Sequence, residues 1–600
     1  MRWKMNNKSL FKNKNNKSKA IAKVLQNSTV LQVKKFQNKI AALYEFCESK
    51  GVFTYLKECE LDYPYAAFVS VGNTSSRAMV FSASGETAET AWHQAVSKAE
   101  EYLQKIPYVV DFVKVDLVDT VLPAKLGDIK ETLRKTRKNF FRYGISFDEN
   151  FQTAFLEQEI NALRLAIYGE SGEFSEKRIN AYLAGRKQPE LEKLPEDLLI
   201  FSCVAAIADQ DDSVHLLYDE GYAYGRREIE LVDDILLDQV LTSCSTYLAD
   251  MVKPTGMFCY GYYADYNKNI ESYNILRHAG SIWSLLMQYG RKKDKRLKEK
   301  IDATIEYMVE QAVDERNGIS YVVEHKVNEI KLGGNAIAII MLLTYGEVMG
   351  DDKYLPLVQK LGEGILCCQN LDGSYYHVLS YPDREQKEAY RTVYYDGETT
   401  FALIKLYGKT KDEKWLKAAQ KAMDYFIRND YTKFRDHWIA YSVNELTKYV
   451  PQEEYFDFGL KNVENNIRQI YKRDVTNQTH MELLMASFEA YLRMKEVCPE
   501  GKSLQDFDEK RFITAIYYRA YHLLNGYIYP EYAMYMKKPE KCIGGYFVRE
   551  DRFRIRIDDI QHFIGGYYHM LKNYDALEEA RKRLGIEPED YMELKEEYMK

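Results

Sequence analysis

From residue 229 onward, two kinds of segment alternate along the chain. The first is apolar around nearly its whole circumference: YNILRHAGSIWSLLMQYG (273–290), GGNAIAIIMLLTYGEVMG (333–350), DGETTFALIKLYG (396–408), HWIAYSVNELTKYV (437–450), THMELLMASFEAYLRM (479–494) and DIQHFIGGYYHMLKNY (559–574). The second carries one apolar stripe and a charged face, as in IELVDDILLDQVLTSCSTYLADMV (229–252), DKRLKEKIDATIEYMVEQAV and EKWLKAAQKAMDYFIRND. A helix apolar all round must be surrounded by protein, whereas a striped helix covers it from outside. Pairs of this sort, about sixty residues apart, predict six inner helices ringed by six outer ones. The expected fold is mainly α, an (α/α)6 toroid over 229–600 rather than an open solenoid. Long Tyr-rich connections (254–272, 316–332, 372–395 and 526–558) favour closure, because loops of that length belong at a site.

Upstream the pattern changes. YPYAAFVSV and SRAMVFSAS read as strands, and VVDFVKVDLVDTV alternates at period two, as a half-buried strand should. Between them SGETAETAWHQAVSKAEEYLQKI reads as a helix starting at Ser84. A small α+β domain followed by a mostly helical stretch is therefore expected over 41–228. Residues 1–40 hold eleven Lys/Arg and no Asp or Glu, and read as a basic, disordered arm able to make weak contact with an anionic surface.

Composition narrows the classes. A net charge of −7 argues against a nucleic-acid binder. No apolar run of membrane-spanning length stands out, and nine cysteines without CxxC spacing read as reduced thiols. Together these point to a cytoplasmic protein. Tyr is abundant, at 50 residues of 600, and supplies the aromatic segments GMFCYGYYADY, GSYYHVLSYPD, RTVYYDGE and GYIYPEYAMYM.

Each apolar helix is entered through polar residues. The first has Arg277 and His278; the second Lys331 and Asn335; the third Tyr394, Tyr395, Asp396 and Glu398. The fourth has Asp436, His437 and Trp438; the fifth His480 and Glu482; the sixth Arg556, Asp558, Asp559, Gln561 and His562. In a toroid these entries share one rim, and ionisable groups gathered in a concavity mark a binding or catalytic site. Asp396, Asp436 and Asp559 also suit helix N-caps.

With aromatic loops and acidic helix entries, this layout resembles the (α/α)6-toroid glycan-active enzymes: glycoside hydrolases, unsaturated-uronide hydrolases, polysaccharide lyases and sugar epimerases. The resemblance covers about 229–575 and is architectural, with no family motif matched. It implies a carbohydrate-active hydrolase that cleaves a glycosidic bond in a small or oligomeric, anionic saccharide. Such cleavage needs two carboxyl groups. The expected pair joins Asp396 or Glu398 to Asp558 or Asp559 across the ring, with Asp436 as a further candidate. Arg277, Lys331 and Arg556 would receive the anion; Asn335, Tyr394, Tyr395, Trp438, His480 and Gln561 would bind the sugar. Epimerisation or elimination would instead use His278, His437 or His562 as proton carriers. No cofactor or metal is expected, although His437, His480 and His562 leave a metal site open. A terpenoid- or peptide-cyclase-like toroid is the rival reading, on the QW-like LGEGILCCQNLDGSY and the DQDD at Asp209–Asp212. A glycan- or peptide-binding scaffold without catalysis is the other.

Overall fold

The computed structural model describes residues 29–136 and 141–599. The arm expected over 1–28 lies outside the described residues, and residues 29–49 already form a helix.

Seven strands make one antiparallel sheet in the N-terminal unit. Its long central pair is Phe112–Lys125 against Asp197–Ala208, running from Val113 opposite Ala208 to Lys125 opposite Asp197. Tyr65–Gly72 adds on one side and carries Met79–Gly85 at the edge. Ser84 belongs to that edge strand, opposite Ala66, so it cannot start a helix. The helix Ala88–Lys105 starts instead at Thr87, whose hydroxyl accepts the Thr90 amide at 3.1 Å.

Alternation along Phe112–Lys125 does not mark a half-exposed strand. Val113, Val115 and Leu117 pack with Trp92 under the helices, while the opposite face is buried as well. There Lys114 pairs with Asp116, and both are buried beside Tyr535, a residue of the helical body. Ser70 Oγ shares a 2.9 Å hydrogen bond with the Tyr535 hydroxyl, and the Ala78 amide donates to the Met534 carbonyl at 2.7 Å. The polar positions of the strand thus form its docking face.

In the helical body, Ile275–Arg291, Leu332–Met349, Val393–Thr410, His437–Leu446, Thr479–Val497 and Ile557–Lys572 pack side by side in chain order, and the last packs on the first. Asp234–Asp250, Lys295–Ala312, Leu355–Cys367, Glu413–Arg428, Glu453–Lys472 and Glu509–Leu523 lie against them. Lys295–Ala312 buries Leu297, Ile301, Ile305 and Met308, the stripe its sequence predicts. Leu332–Met349 is buried continuously from Leu332 to Gly346. With a mean hydropathy of 1.5, this helix is long and apolar enough to cross a membrane, contrary to the expectation of no such run, and here other helices enclose it.

Two of the long connections are not open loops. Val313–Arg316, Ile319–Glu324, Glu329–Lys331, Val378–Ser380 and Gln386–Glu388 form one five-stranded antiparallel sheet beside the ring. The DQDD segment sits on the turn joining Asp197–Ala208 to Val214–Leu217, where Asp209 pairs with Arg227 and Asp212 with Lys39. It belongs to the sheet, away from the helix entries. All nine cysteines are unpaired.

Small residues set the spacing of the inner helices. A Cβ at Gly397 would lie 2.5 Å from Trp438 Cβ, 2.7 Å from Asp436 Oδ2 and 2.9 Å from the Ile439 amide nitrogen. Gly397→Ala is therefore expected to force the third and fourth inner helices apart and to cost about 1–3 kcal/mol, read as a lower denaturation midpoint in urea. An unchanged midpoint would show that the two helices can separate freely.

Candidate active site

The entries of the inner helices meet, and their ionisable groups pair with one another. Asp436 caps the fourth helix, accepting the Trp438 amide at 3.1 Å. Neither Asp396 nor Asp559 is a cap; both sit inside the first turn of their helices. The cap places His437 at the first helical position, with its Nδ1 3.3 Å from Asp436 Oδ1. His437 is buried, and its Nε2 has no hydrogen-bond partner; Glu482 Oε2 is 3.8 Å away.

His562, from the sixth helix, meets His437 edge to face, with ring centroids 5.3 Å apart. Its Nδ1 is 2.6 Å from Glu482 Oε2 and its Nε2 3.7 Å from Asp558 Oδ1. Glu482, on the fifth helix, also accepts the Tyr441 hydroxyl at 3.1 Å. Gly565 makes this approach possible, since a side chain there would occupy the space of the Glu482 carboxylate. Trp438 stacks on Trp283 with centroids 5.8 Å apart, closing the floor beneath the imidazoles. Tyr394 is half-exposed, with its ring edge-on to His437.

His562 is therefore hydrogen-bonded to a carboxylate through Nδ1, His437 has its Nδ1 in contact with Asp436, and each Nε2 faces a carboxylate beyond hydrogen-bond distance. Burial holds His437 down at about 3 and lifts Asp436 to about 7. Glu398 is buried nearby with one carboxylate oxygen unpartnered, and burial pushes it well above the carboxylate range, with Asp436 adding to the shift.

Of the YYDGE and RIDDIQH carboxylates expected to act together, Glu398 keeps one oxygen without a hydrogen bond and lies close enough to Arg277, the partner of Asp558, to feel its charge. Asp396 points to the rear, 3.1 Å from His377 Nε2 and 3.3 Å from the Tyr431 hydroxyl. Asp558 pairs with Arg277 and with Arg556, the latter at 3.3 Å. Asp559 takes two hydrogen bonds from Arg556, at 2.9 and 2.8 Å. Arg277 and Arg556 are thus already neutralised, and Lys331 has Glu329 at 3.9 Å.

Several other expected residues stand outside the group. His278 is turned to the outer layer, with Nδ1 2.6 Å from the Tyr273 hydroxyl and Nε2 2.9 Å from the Thr304 carbonyl. Both its nitrogens are engaged, and burial lowers its pKa to about 4. Asn335 accepts the Val322 amide and donates to the Lys331 carbonyl, tying the five-stranded sheet to the second helix. His480 meets Asn477 at 3.2 Å and is held well below its ordinary range by burial and then by Arg519. Tyr395 packs on Gly333 and Gln561 on Gly280. Of the aromatic segments, Tyr394 stays open, as does Tyr390 just ahead of RTVYYDGE, whereas Tyr262, Tyr375, Tyr529, Tyr532 and Tyr535 are buried.

Donor atoms of His437, Glu482 and His562 lie within 4.8 Å of one another, a set able to hold a metal ion. His480 is not part of it. Glu482 entered the sequence reading only as one polar residue of its helix entry, and its carboxylate proves to be the hinge of the group. His377 was passed over, because it lies in a strand-rich connection rather than at a helix entry.

No family model matches the chain, and no curated protein matches it. Solved structures do, at low identity. A D-mannose isomerase is 12% identical, covers 56% of this chain and 97% of its own, and has a TM-score of 0.45. A cellobiose 2-epimerase from Bacillus thermoamylovorans is 13% identical, over 57% of this chain and 99% of its own, with a TM-score of 0.44. An unsaturated glucuronyl hydrolase specific for heparin is 11% identical, over 58% and 98%, with a TM-score of 0.40. The chain is similar to these toroid enzymes in architecture alone.

Proposed function

We propose that the chain is an (α/α)6-toroid enzyme that moves a proton at a sugar carbon next to a carbonyl, as an epimerase or isomerase. One observation carries this reading: two adjoining imidazoles gathered on the Glu482 carboxylate, His562 through Nδ1 at 2.6 Å and His437 with Nε2 3.8 Å away, with the Asp436 carboxyl 3.3 Å from His437 Nδ1. A carboxylate at Nδ1 fixes the ring's orientation and tautomer and supports the charge gained when Nε2 takes a proton. One Nε2 removes the proton on the carbon beside an open-chain sugar's carbonyl, and the C–H electrons pass to the carbonyl oxygen as an enediolate. The second ring, protonated at Nε2, returns a proton to the opposite face of that carbon or to its neighbour. Tyr394, half-exposed beside His437, offers the apolar face a sugar ring needs.

Glycosidic hydrolysis retains Glu398 and Asp436, whose carboxyls burial raises, but its other candidates, Asp396, Asp558 and Asp559, are tied to His377, Tyr431, Arg277 and Arg556. The donor set of His437, Glu482 and His562 supports a second reading, a metal-dependent enzyme at the same place. Sugars incubated in D2O separate the three. Proton transfer predicts deuterium on the carbon beside the carbonyl and full activity after chelation. Release of new reducing ends without deuterium would mean hydrolysis, and loss on chelation with rescue by zinc would mean a metal site.

His437→Asn and His562→Asn are each expected to lower turnover by about 10²–10⁴-fold and to abolish the deuterium exchange, with the circular dichroism spectrum unchanged. Exchange that survives both replacements would remove the imidazoles from the mechanism.

Asp436 sets the pH dependence. Its carboxyl is neutral below about 7 and ionised above. The ionised form favours protonation of His437, so kcat/KM should rise with pH through about 7. Asp436→Asn keeps the helix cap and should flatten this limb. The stability effect has the opposite sign. A carboxyl raised above its unfolded value favours the fold while both states hold the proton, and this contribution is lost between the ordinary carboxylate range near 3.8 and about 7, with no further change above. The wild-type urea midpoint should therefore fall across that range more than the midpoint of the Asn variant.

A further inference from the structure

We propose that a cavity of about 560 Å³ at the entries of the fifth and sixth inner helices is a second sugar subsite, which takes a carboxylate-bearing unit linked to the reacting sugar. The assignment rests on the sugar reading above and names its substrate class: a uronate-containing disaccharide or longer chain.

Position comes first. The cavity is bounded by the segment 473–478, which leads into the fifth inner helix, and by Arg556 and Asp559 at the entry of the sixth. Arg556 reaches Asp558 at 3.3 Å, and Asp558 Oδ1 stands 3.7 Å from His562 Nε2. Through Arg556 and Asp558 the cavity is thus two contacts from His562, although neither imidazole lines it. Its far wall, with Tyr168 and Gly169, belongs to the N-terminal unit.

The lining holds three arginines and three carboxylates, and the buried Glu550 interacts with Arg142 and Arg549, neither of them in the lining. Arg554 pairs with Asp551 at 2.8 Å, and Arg556 with Asp559. Among the described residues Arg473 has no acidic partner, and its side chain is exposed at the cavity. One guanidinium matches the single charge and planar fork of a carboxylate. Two buried polar groups in the lining lack hydrogen bonds: Thr476 Oγ1, in a residue 1% exposed, and Gln478 Nε2, in one 6% exposed. Such groups call for a partner, and sugar hydroxyls are suited to both. The Tyr168 ring supplies an apolar face across the cavity.

The segment is held ready for a ligand. Arg519 is fully buried and donates to the carbonyls of Val475 at 3.0 Å, Asn477 at 2.8 Å and Arg473 at 3.5 Å. That grip fixes the backbone carrying Arg473, Thr476 and Gln478, so little ordering remains to be done on binding. The volume is within the usual range for small-ligand sites, about 300–1,000 Å³.

The test is calorimetric and independent of turnover. Glucose disaccharides of different linkage are titrated into the full chain, each beside its glucuronosyl-glucose counterpart and a counterpart 6-phosphorylated on the distal unit. At least one glucuronosyl sugar should bind about tenfold or more tightly than its neutral partner. Arg473→Gln should collapse that ratio to within about twofold, and Tyr168→Ala should weaken both members while sparing glucose. Several outcomes overturn the subsite: no linkage prefers the uronate, Arg473→Gln leaves the preference intact, the phosphate wins, or Tyr168→Ala changes neither disaccharide. The D2O exchange runs in parallel. Uronate preference without exchange would keep the subsite and refute the proton-transfer reading, and exchange without preference would do the reverse.

Discussion

Charged side chains at the mouth of a closed apolar ring have little water to solvate them, so they must satisfy one another. That constraint organises this protein. Arg277, Arg556, Asp558 and Asp559 close one network between the first and sixth inner helices. Glu482, His437, His562 and Asp436 close another across the fourth, fifth and sixth. In the first network cations cancel carboxylates and leave no group free to react. In the second, imidazoles meet carboxylates, and a ring nitrogen on each side is left over.

The same constraint explains what the amino-acid pattern could and could not reveal. The alternation of wholly apolar with striped helices was legible because burial of a whole circumference leaves no polar positions, and the packing order of the inner helices follows it. That polar residues gather at the helix entries was legible too. Which of them face one another was not, since a helix entry says nothing about rotation around the axis. His278 and His437 occupy similar positions in sequence, yet one ring turns outward to Thr304 and the other inward to His562. Tyr-rich segments were also ambiguous: Tyr532 and Tyr535 fill the seam between the two units, and Tyr394 stays open.

The central sheet strand shows a related limit. Lys114 and Asp116 sit at the polar positions of a period-two pattern, where water would normally be expected. They face another part of the same chain instead, and the sequence separation between Lys114 and Tyr535 hides the contact from any local pattern. A buried ion pair is weak evidence of net stabilisation, but losing one partner leaves an uncompensated charge. The pair therefore specifies where the sheet lies more than it strengthens the fold.

That docking face bears on how the chain can be divided. Cutting near residue 228 would strip the helical body of the strands that cover Tyr535 and Met534, and expose an apolar seam with backbone groups left unmatched. The excised ring would also be missing the Tyr168 side of its cavity. A boundary that looks like a natural joint in the sequence thus runs through shared interior, and the two halves have to be handled, truncated or recombined as a single unit.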